Sequence, residues 1–315
     1  MRATVHEINR VLAAALAGMV LLVSTALAAA GPGRLTVAVT VDDVEAIAKV
    51  VGGDQVDTFT LFKGCILRKD LSVEKAVQDR LLKADAVAWT GFFNESAAIH
   101  DSVKLLDQRV ESPPLWIDVS RGVKRINVPT SSCFGYVEVS FMHGDPFFWL
   151  NPQNGSLIAR NLAEGFAELR PEKKGYFLAN AEAFGKALEK DIARWRSELA
   201  PLKGLRIFSA QCGWQNFAQI GGPSFASCKN TPGQLPSPDT LLDHVKRMKV
   251  QLIIVDPNTP PEYGRAFREG TEAKVIEVPS SVENLAGPDR SYSAIFDHLI
   301  AALQAASKEK ATGEK

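Results

Sequence analysis

The sequence predicts two α/β lobes with parallel sheets, joined by one long rigid linking helix and separated by a ligand cleft. Buried strand-like segments alternate with amphipathic helices in both halves of the chain, and a long helical pattern separates the halves. About 285 residues would remain after removal of an export signal, more than one small core usually organises. The predicted divisions are a signal peptide (1–30), an N-terminal lobe (34–170), a linking helix (171–200), a C-terminal lobe (201–308) and a disordered tail (309–315).

The N-terminal lobe is predicted from its repeated order of strand and helix. The buried strand LTVAVT is followed by the amphipathic helix VDDVEAIAKVVGG, which ends at glycines. The alternation continues with strands at 56–62, 86–89 and 115–119 and helices at 72–84 and 94–107. Residues 120–142 then break the pattern and predict a long loop, a feature that often borders a binding site.

The linking helix is predicted from one apolar stripe. Apolar side chains recur every three or four residues from Phe177 to Leu199, between Pro171 and Pro201. At ~1.5 Å per residue this helix would span roughly 40 Å, the width of a domain. We expect it to tie the two lobes together stiffly.

The C-terminal lobe repeats the alternation. Its predicted strands are 205–210, 251–255 and 274–278, and its helices begin near residues 213, 237, 260 and 291, with Ser237 as an N-cap. Such lobes bind ligands at the carboxyl ends of their strands. The loops at those ends begin near Lys63, Thr90, Ser120, Ala210, Asp256 and Pro279.

The first thirty residues predict export. Arg2 and Arg10 precede the apolar stretch VLAAALAGMVLLVSTALA, and Ala26-Leu27-Ala28 supplies small residues for cleavage. The stretch is short for a membrane span. We therefore expect a soluble, periplasmic monomer. Lys plus Arg and Asp plus Glu number 36 each, a balance that gives no indication of a nucleic acid partner.

Four cysteines are candidates for disulfides in that oxidising compartment: Cys65, Cys133, Cys212 and Cys228. One or two disulfides are expected, and the sequence leaves their connectivity open.

Several segments carry a resemblance to a known family. HGDPFFWLNPQNGSLIARNLAEGF, FSAQCGWQNFAQIGG and PGQLPSPDTLLDHVKRMKVQLIIVDPN resemble, in order and spacing, motifs of the periplasmic metal-binding proteins of ABC uptake systems, the zinc and manganese cluster with a rigid linking helix. VIEVPSSV is similar to the late segment of one branch. The resemblance covers essentially the whole chain after the signal peptide. It implies a solute-binding protein, and not an enzyme, that delivers its ligand or metal ion to an ABC permease in the inner membrane.

The ligand positions of that family are altered here. The family holds its metal between the lobes with about three histidines and a carboxylate, a set that suits zinc. The matching positions are Lys69, Phe147, Gln211 and Asp256. Phenylalanine cannot coordinate a metal, glutamine is a weak ligand, and a lysine places positive charge where the dication would lie. The residues therefore predict that the inherited zinc site is absent.

A converted cleft is the first of three hypotheses for the altered positions. Lys69 would pair with Asp256, and the cleft would hold no metal, or an anion, or an organic ligand stacked on the aromatic residues 147–149. The competing explanation is a solvated lysine, an aspartate that caps a turn before Pro257, and aromatic side chains that seal the lobe.

The second hypothesis is a site for a different metal, copper or zinc. Cys65, His143 and Cys212, together with Asp256, would supply thiolate, imidazole and carboxylate ligands. An accessory protein or metallochaperone would use such a site. Disulfides are the competing explanation for the cysteines, and the one we favour.

The third hypothesis is an exported enzyme with Cys212 as nucleophile at a helix start. The sequence places no histidine as its base, and it contains no G-x-S-x-G or metalloprotease motif. We therefore predict a binding protein.

Overall fold

The computed structural model describes residues 33–63, 73–91, 113–124, 126, 145–210, 213–227 and 236–312. The predicted signal peptide, the helix at 94–107 and most of the loop at 120–142 lie outside these residues. Residues from Thr36 onward belong to one compact unit. Among the described helices, none is both long enough and apolar enough to span a membrane.

The first sheet contains four described strands: β1 (Leu35–Val41), β2 (Val56–Phe62), β3 (Ala86–Trp89) and β4 (Leu115–Asp118). Their order is β2-β1-β3-β4, and β3 pairs in parallel with both β1 and β4. Helix α1 (Asp42–Gly52) begins directly after β1, and α2 (Lys75–Leu81) lies between β2 and β3 in the chain. Val37, Ala38 and Val39 of β1 are fully buried, as expected for a central strand covered on both faces.

Two long helices lie between the two sheets in the chain. Helix α3 (Pro152–Leu169) starts at an N-cap, Asn151, whose side chain accepts a hydrogen bond from the Gln153 amide. Helix α4 (Lys174–Leu199) packs against α3 and has 26 residues, or roughly 39 Å of length. Its buried side chains form one stripe: Phe177, Ala181, Leu188, Ile192, Trp195 and Leu199. The predicted linking helix is confirmed.

The second sheet contains β5 (Arg206–Ser209), β6 (Ser224–Ser227), β7 (Leu252–Val255) and β8 (Lys274–Glu277). Their order is β6-β5-β7-β8, and all three pairings are parallel. The remaining described α-helices are α5 (Trp214–Phe217), α6 (Pro238–Met248), α7 (Pro261–Gly270) and α8 (Tyr292–Thr312). The predicted fold class of two parallel α/β lobes is therefore confirmed.

Helix α8 fastens the second lobe to α4. Asp297 of α8 accepts hydrogen bonds from the Arg194 guanidinium (2.8 Å) and from the Trp195 indole (2.7 Å), and Ser293 donates to Asp191 (2.9 Å). The helix continues to Thr312, into the segment predicted as a tail, where Glu309, Lys310 and Ala311 are all good helix formers.

Both sheets share one topological feature that positions a site. Each sheet places its first strand between the second and the third, so the chain winds in opposite directions from the first strand. Ligands bind at such switch points, beyond the carboxyl ends of the strands. The switch points lie after β1 and β3 in the first lobe and after β5 and β7 in the second.

Candidate binding cleft

Loops from both lobes meet at the carboxyl ends of the strands. Asp42 and Asp43 directly follow β1, Asp256 follows β7, and the segment 280–284 follows β8. Hydrogen bonds join the β8 segment to all three aspartates. A group of buried carboxylates contributed by both lobes therefore lies at this junction.

Both oxygens of Asp43 accept hydrogen bonds. Its side chain is 3% exposed; Oδ1 accepts from the Val282 amide at 2.8 Å and Oδ2 accepts from the Trp149 indole at 2.8 Å. The Trp149 carbonyl in turn accepts a hydrogen bond from the Tyr292 hydroxyl of α8. Trp149 is therefore fixed between the start of α1 and the second lobe.

Asp42 uses only one of its oxygens. Oδ2 accepts from the Ser281 hydroxyl and from the Glu283 amide, both at 3.0 Å. Oδ1 is buried and has no hydrogen bond partner in the described part of the chain. The side chain of Glu283 also pairs, near the protein surface, with Lys63 at the end of β2 (3.5 Å).

Burial perturbs the ionisation of both residues. Loss of solvent raises the pKa of Asp43 well above its ordinary value of 3.8, and the neighbouring charges of Asp42 and Asp256 raise it further. Burial also raises the pKa of Asp42, although hydrogen bonds from Ser281 and Glu283 oppose that rise. The ionised carboxylates therefore repel one another at this end of the sheets.

Asp256 is engaged within its own lobe. Oδ1 accepts from the Asn258 amide (2.9 Å), and Oδ2 accepts from the amide (2.9 Å) and the hydroxyl (2.7 Å) of Ser280. The Thr259 amide donates to the Asp256 carbonyl, which closes a turn. This is the turn-capping arrangement that competes with a salt bridge to Lys69, a residue outside the described part of the chain.

Phe147 lies in a packed environment. It is 6% exposed, its amide donates to Asp145 Oδ1 (2.8 Å), and its ring lies 5.5 Å from that of Trp149. Gly213, at the start of α5, has a φ of 116°, and a Cβ there would lie 3.0 Å from Phe147 Cβ. Glycine thus permits α5 to begin directly against this aromatic cluster. The burial favours a packing role for the cluster.

Most of the other predicted site residues fall outside the described chain: Lys69, Gln211, Cys65, His143, Cys212, Cys133 and Cys228. Among the described residues, no group of three His, Cys, Asp or Glu side chains is placed to hold a metal ion. Both the metal site and the disulfides stay predictions.

Sequence reasoning missed Asp42 and Asp43. Site residues were expected in the loops that follow the strands. Helix α1 starts immediately after β1, so no loop separates the two. The available signal was a pair of adjacent acids directly after the first buried strand, at what became a topological switch point.

The sequence has relatives among zinc-uptake proteins. The high-affinity zinc uptake system protein ZnuA of Brucella abortus (strain 2308) is 27% identical over 150 residues, which cover 46% of this chain and 45% of that protein. The protein of the same name from Brucella melitensis biotype 1 gives the same values. The match thus spans less than half the length of these curated relatives.

Solved structures share the fold. A crystal structure of ZnuA has a TM-score of 0.69 at 19% identity and covers 87% of this chain and 99% of its own. The solute-binding protein FpvC from Pseudomonas aeruginosa, in complex with Mn²⁺, has a TM-score of 0.72 at 16% identity, with coverages of 88% and 99%.

One further match extends over both lobes of the chain and shows its family. Residues 37–306 match the sequence model of the ZnuA family, described as the periplasmic component A of the zinc-uptake complex. The matched segment contains the linking helix, the three aspartates and both sheets except for the first two residues of β1. The chain therefore belongs to the ZnuA family.

Proposed function

We propose that this protein is the periplasmic solute-binding component of an ABC-type import system, with a cargo that differs from the family's zinc. The observation that carries the proposal is the family match over both lobes combined with Phe147 at a position where the family resemblance implies a metal ligand. Residues 1–30 would direct export and be removed, and the mature chain would act as a monomer. Its work would be capture and delivery to an inner-membrane permease, without catalysis.

The described cleft residues support an altered cargo. Phe147 has no lone pair to donate, and its ring is buried against Trp149. Both oxygens of Asp256 already accept hydrogen bonds from its own turn and from Ser280. A metal would have to share these oxygens with the three donors, whose charge-assisted bonds are among the stronger hydrogen bonds in proteins.

A second candidate is an accessory protein or metallochaperone that binds copper or zinc through Cys65, His143 and Cys212, with Asp256. One contact favours it: Gly213, the residue after Cys212, packs against Phe147 at the cleft. Thiolate and imidazole ligands at such a place suit copper(I) or zinc.

Native mass spectrometry of the mature protein, purified from its own periplasm with metal analysis of the same sample, tests the proposal. We expect no stoichiometric zinc, and a bound organic mass would identify the cargo. Copper or zinc that is lost in the Cys65→Ser and Cys212→Ser variants would support the second candidate. Stoichiometric zinc that persists in those variants would overturn the claim of an altered cargo.

The transport role has its own test. Tagged mature protein, incubated with detergent-solubilised inner membranes, should retain an ABC permease, and N-terminal sequencing should find the mature chain starting between residues 29 and 31. Recovery of no permease across repeated preparations would remove support for import.

A further inference from the structure

The two lobes are joined at one point by buried side chains that accept from the opposite backbone. Asp43 accepts from the Val282 amide at 2.8 Å, and Asp42 accepts from the Glu283 amide at 3.0 Å. The Ser281 hydroxyl adds a third bond, to Asp42, at 3.0 Å. The partners are about 240 residues apart in sequence, so each of these bonds crosses between the lobes.

These carboxylates have unusual hydrogen-bond partners for acidic residues at the start of a helix. Acidic residues in a first turn commonly accept from their own helix. The N-cap of α1, Val41, makes no side-chain capping bond, and both acids accept from backbone amides of the other lobe. Their partners are the first two amides of a short 3-10 turn, Val282–Asn284, which lack acceptors within that turn. The acids of one lobe thus satisfy the backbone of the other.

Two of the altered ligand positions, Phe147 and Asp256, are connected to this contact. Trp149, beside Phe147, donates to the second oxygen of Asp43. Ser280, next to Ser281, holds Asp256 through its amide and hydroxyl. Movement of the 280–284 segment relative to α1 would therefore disturb the surroundings of Phe147, through Trp149, and those of Asp256, through Ser280.

We propose that Asp42 and Asp43 form a clasp that fixes the segment 280–284 against the start of α1 and thereby sets the separation of the lobes around the cargo. This inference rests on the proposed function, because a solute-binding protein captures its cargo between the lobes. Asp43 is the principal positioning residue, since both of its oxygens are used. Asp42 contributes through Oδ2 alone.

A matched pair of asparagine variants separates these roles. Asn has one acceptor oxygen, so Asp43→Asn must leave either the Val282 amide or the Trp149 indole facing an NH₂ group. Asp42→Asn can keep both of its bonds, because both donors use the same oxygen. The two substitutions remove the same charge and differ in the contacts they break.

Site-resolved amide hydrogen exchange on the full mature chain, without added cargo or permease, is the measurement. In Asp43→Asn we expect exchange at the Val282 amide or at the Trp149 indole, whichever loses its acceptor, to rise by about tenfold or more. In Asp42→Asn exchange at both should rise by less than about threefold. Two amides serve as internal controls: Ser280, bonded to Asp256 within the same lobe, and Ala210, bonded to the Ile254 carbonyl in the second sheet. Both controls should be unchanged.

Three outcomes would overturn the clasp: unchanged exchange at both the Val282 amide and the Trp149 indole in Asp43→Asn, an equal rise at Ser280, or an equal rise at Ala210. The second would mean that the loop unfolds, and the third that the whole lobe does. Because neither cargo nor permease is present, failure here is distinct from failure of the transport proposal, which native mass spectrometry and permease capture decide.

Discussion

The carboxyl end of β1 and the carboxyl end of β7 each place buried aspartate at a switch point, yet the two use it differently. Asp256 accepts from its own turn and from Ser280, so its bonds stay within one lobe. Asp42 and Asp43 accept from residues 281–283 and so connect the two lobes. Burial alone therefore does not determine the structural role of a carboxylate. That role depends on which lobe supplies its hydrogen-bond donors.

The largest effect is expected from removing the acceptor that joins the lobes. Asp43→Ala leaves the Val282 amide and the Trp149 indole without an acceptor, and each buried unsatisfied donor costs about 1 to 3 kcal/mol. We expect the free energy of unfolding to fall by about 2 to 4 kcal/mol in urea denaturation. Asp57→Ala, at an exposed aspartate 3.6 Å from Arg80, is the control and should change it by less than about 0.5 kcal/mol. Equal losses in the two variants would contradict the comparison.

The next expected effect is a gain in stability, caused by substitution of Asp42. Because burial raises the pKa of Asp42, the folded state binds its proton more tightly than the unfolded chain, and this carboxyl costs stability as the pH rises through the raised pKa. Asp42→Asn removes the charge and keeps both hydrogen bonds to Oδ2. We expect a gain in stability at pH 7 that vanishes below pH 3.8, where the carboxyl is protonated in both states.

Denaturation of wild type and Asp42→Asn in parallel at neutral and acidic pH checks this difference. A variant that is less stable than wild type at pH 7 would show that the carboxylate is worth more as a charged acceptor than it costs to bury.

Substitutions at two adjacent serines test the same comparison, with a smaller expected change in stability. Ser281→Ala removes a bond to Asp42 in the other lobe, and Ser280→Ala removes a hydroxyl bond to Asp256 in the same lobe. Each should cost about 1 kcal/mol of stability. Only Ser281→Ala should accelerate amide exchange at Glu283, the remaining donor to Asp42 Oδ2. Acceleration in both variants would mean that the two carboxylates belong to a single network.

The sequence could predict some of these elements and not others. Strands β1 and β2 were predicted within a residue because their apolar patterns are strong, and Ser237 was recognised as the N-cap of α6. Strand β6, Ser224–Ser227, was missed because SFAS has no such pattern and is defined by its pairing with β5. Propensity carries little information on pairing between distant segments.

The clasp was missed for a different physical reason. Acids in the first turn of a helix are favoured by the helix dipole whatever else they do, so Asp42 and Asp43 look ordinary in sequence. Their partners at Val282 and Glu283 are backbone amides, which every residue except proline carries. A contact made by backbone donors leaves no residue type to recognise, and only the fold brings the donors to the acids.

The smallest effect is expected at the altered ligand position itself. Phe147→His restores the residue type that the family resemblance implies, but the imidazole would enter a buried aromatic cluster, and the oxygens of Asp256 already accept three hydrogen bonds. One added ligand does not make a zinc site, which needs three or four. We expect no zinc binding at micromolar or tighter affinity by calorimetry, for the variant as for wild type. Tight binding by Phe147→His alone would show that the turn around Asp256 opens readily, and that the intralobe bonds which distinguish it from the clasp are weaker than their geometry indicates.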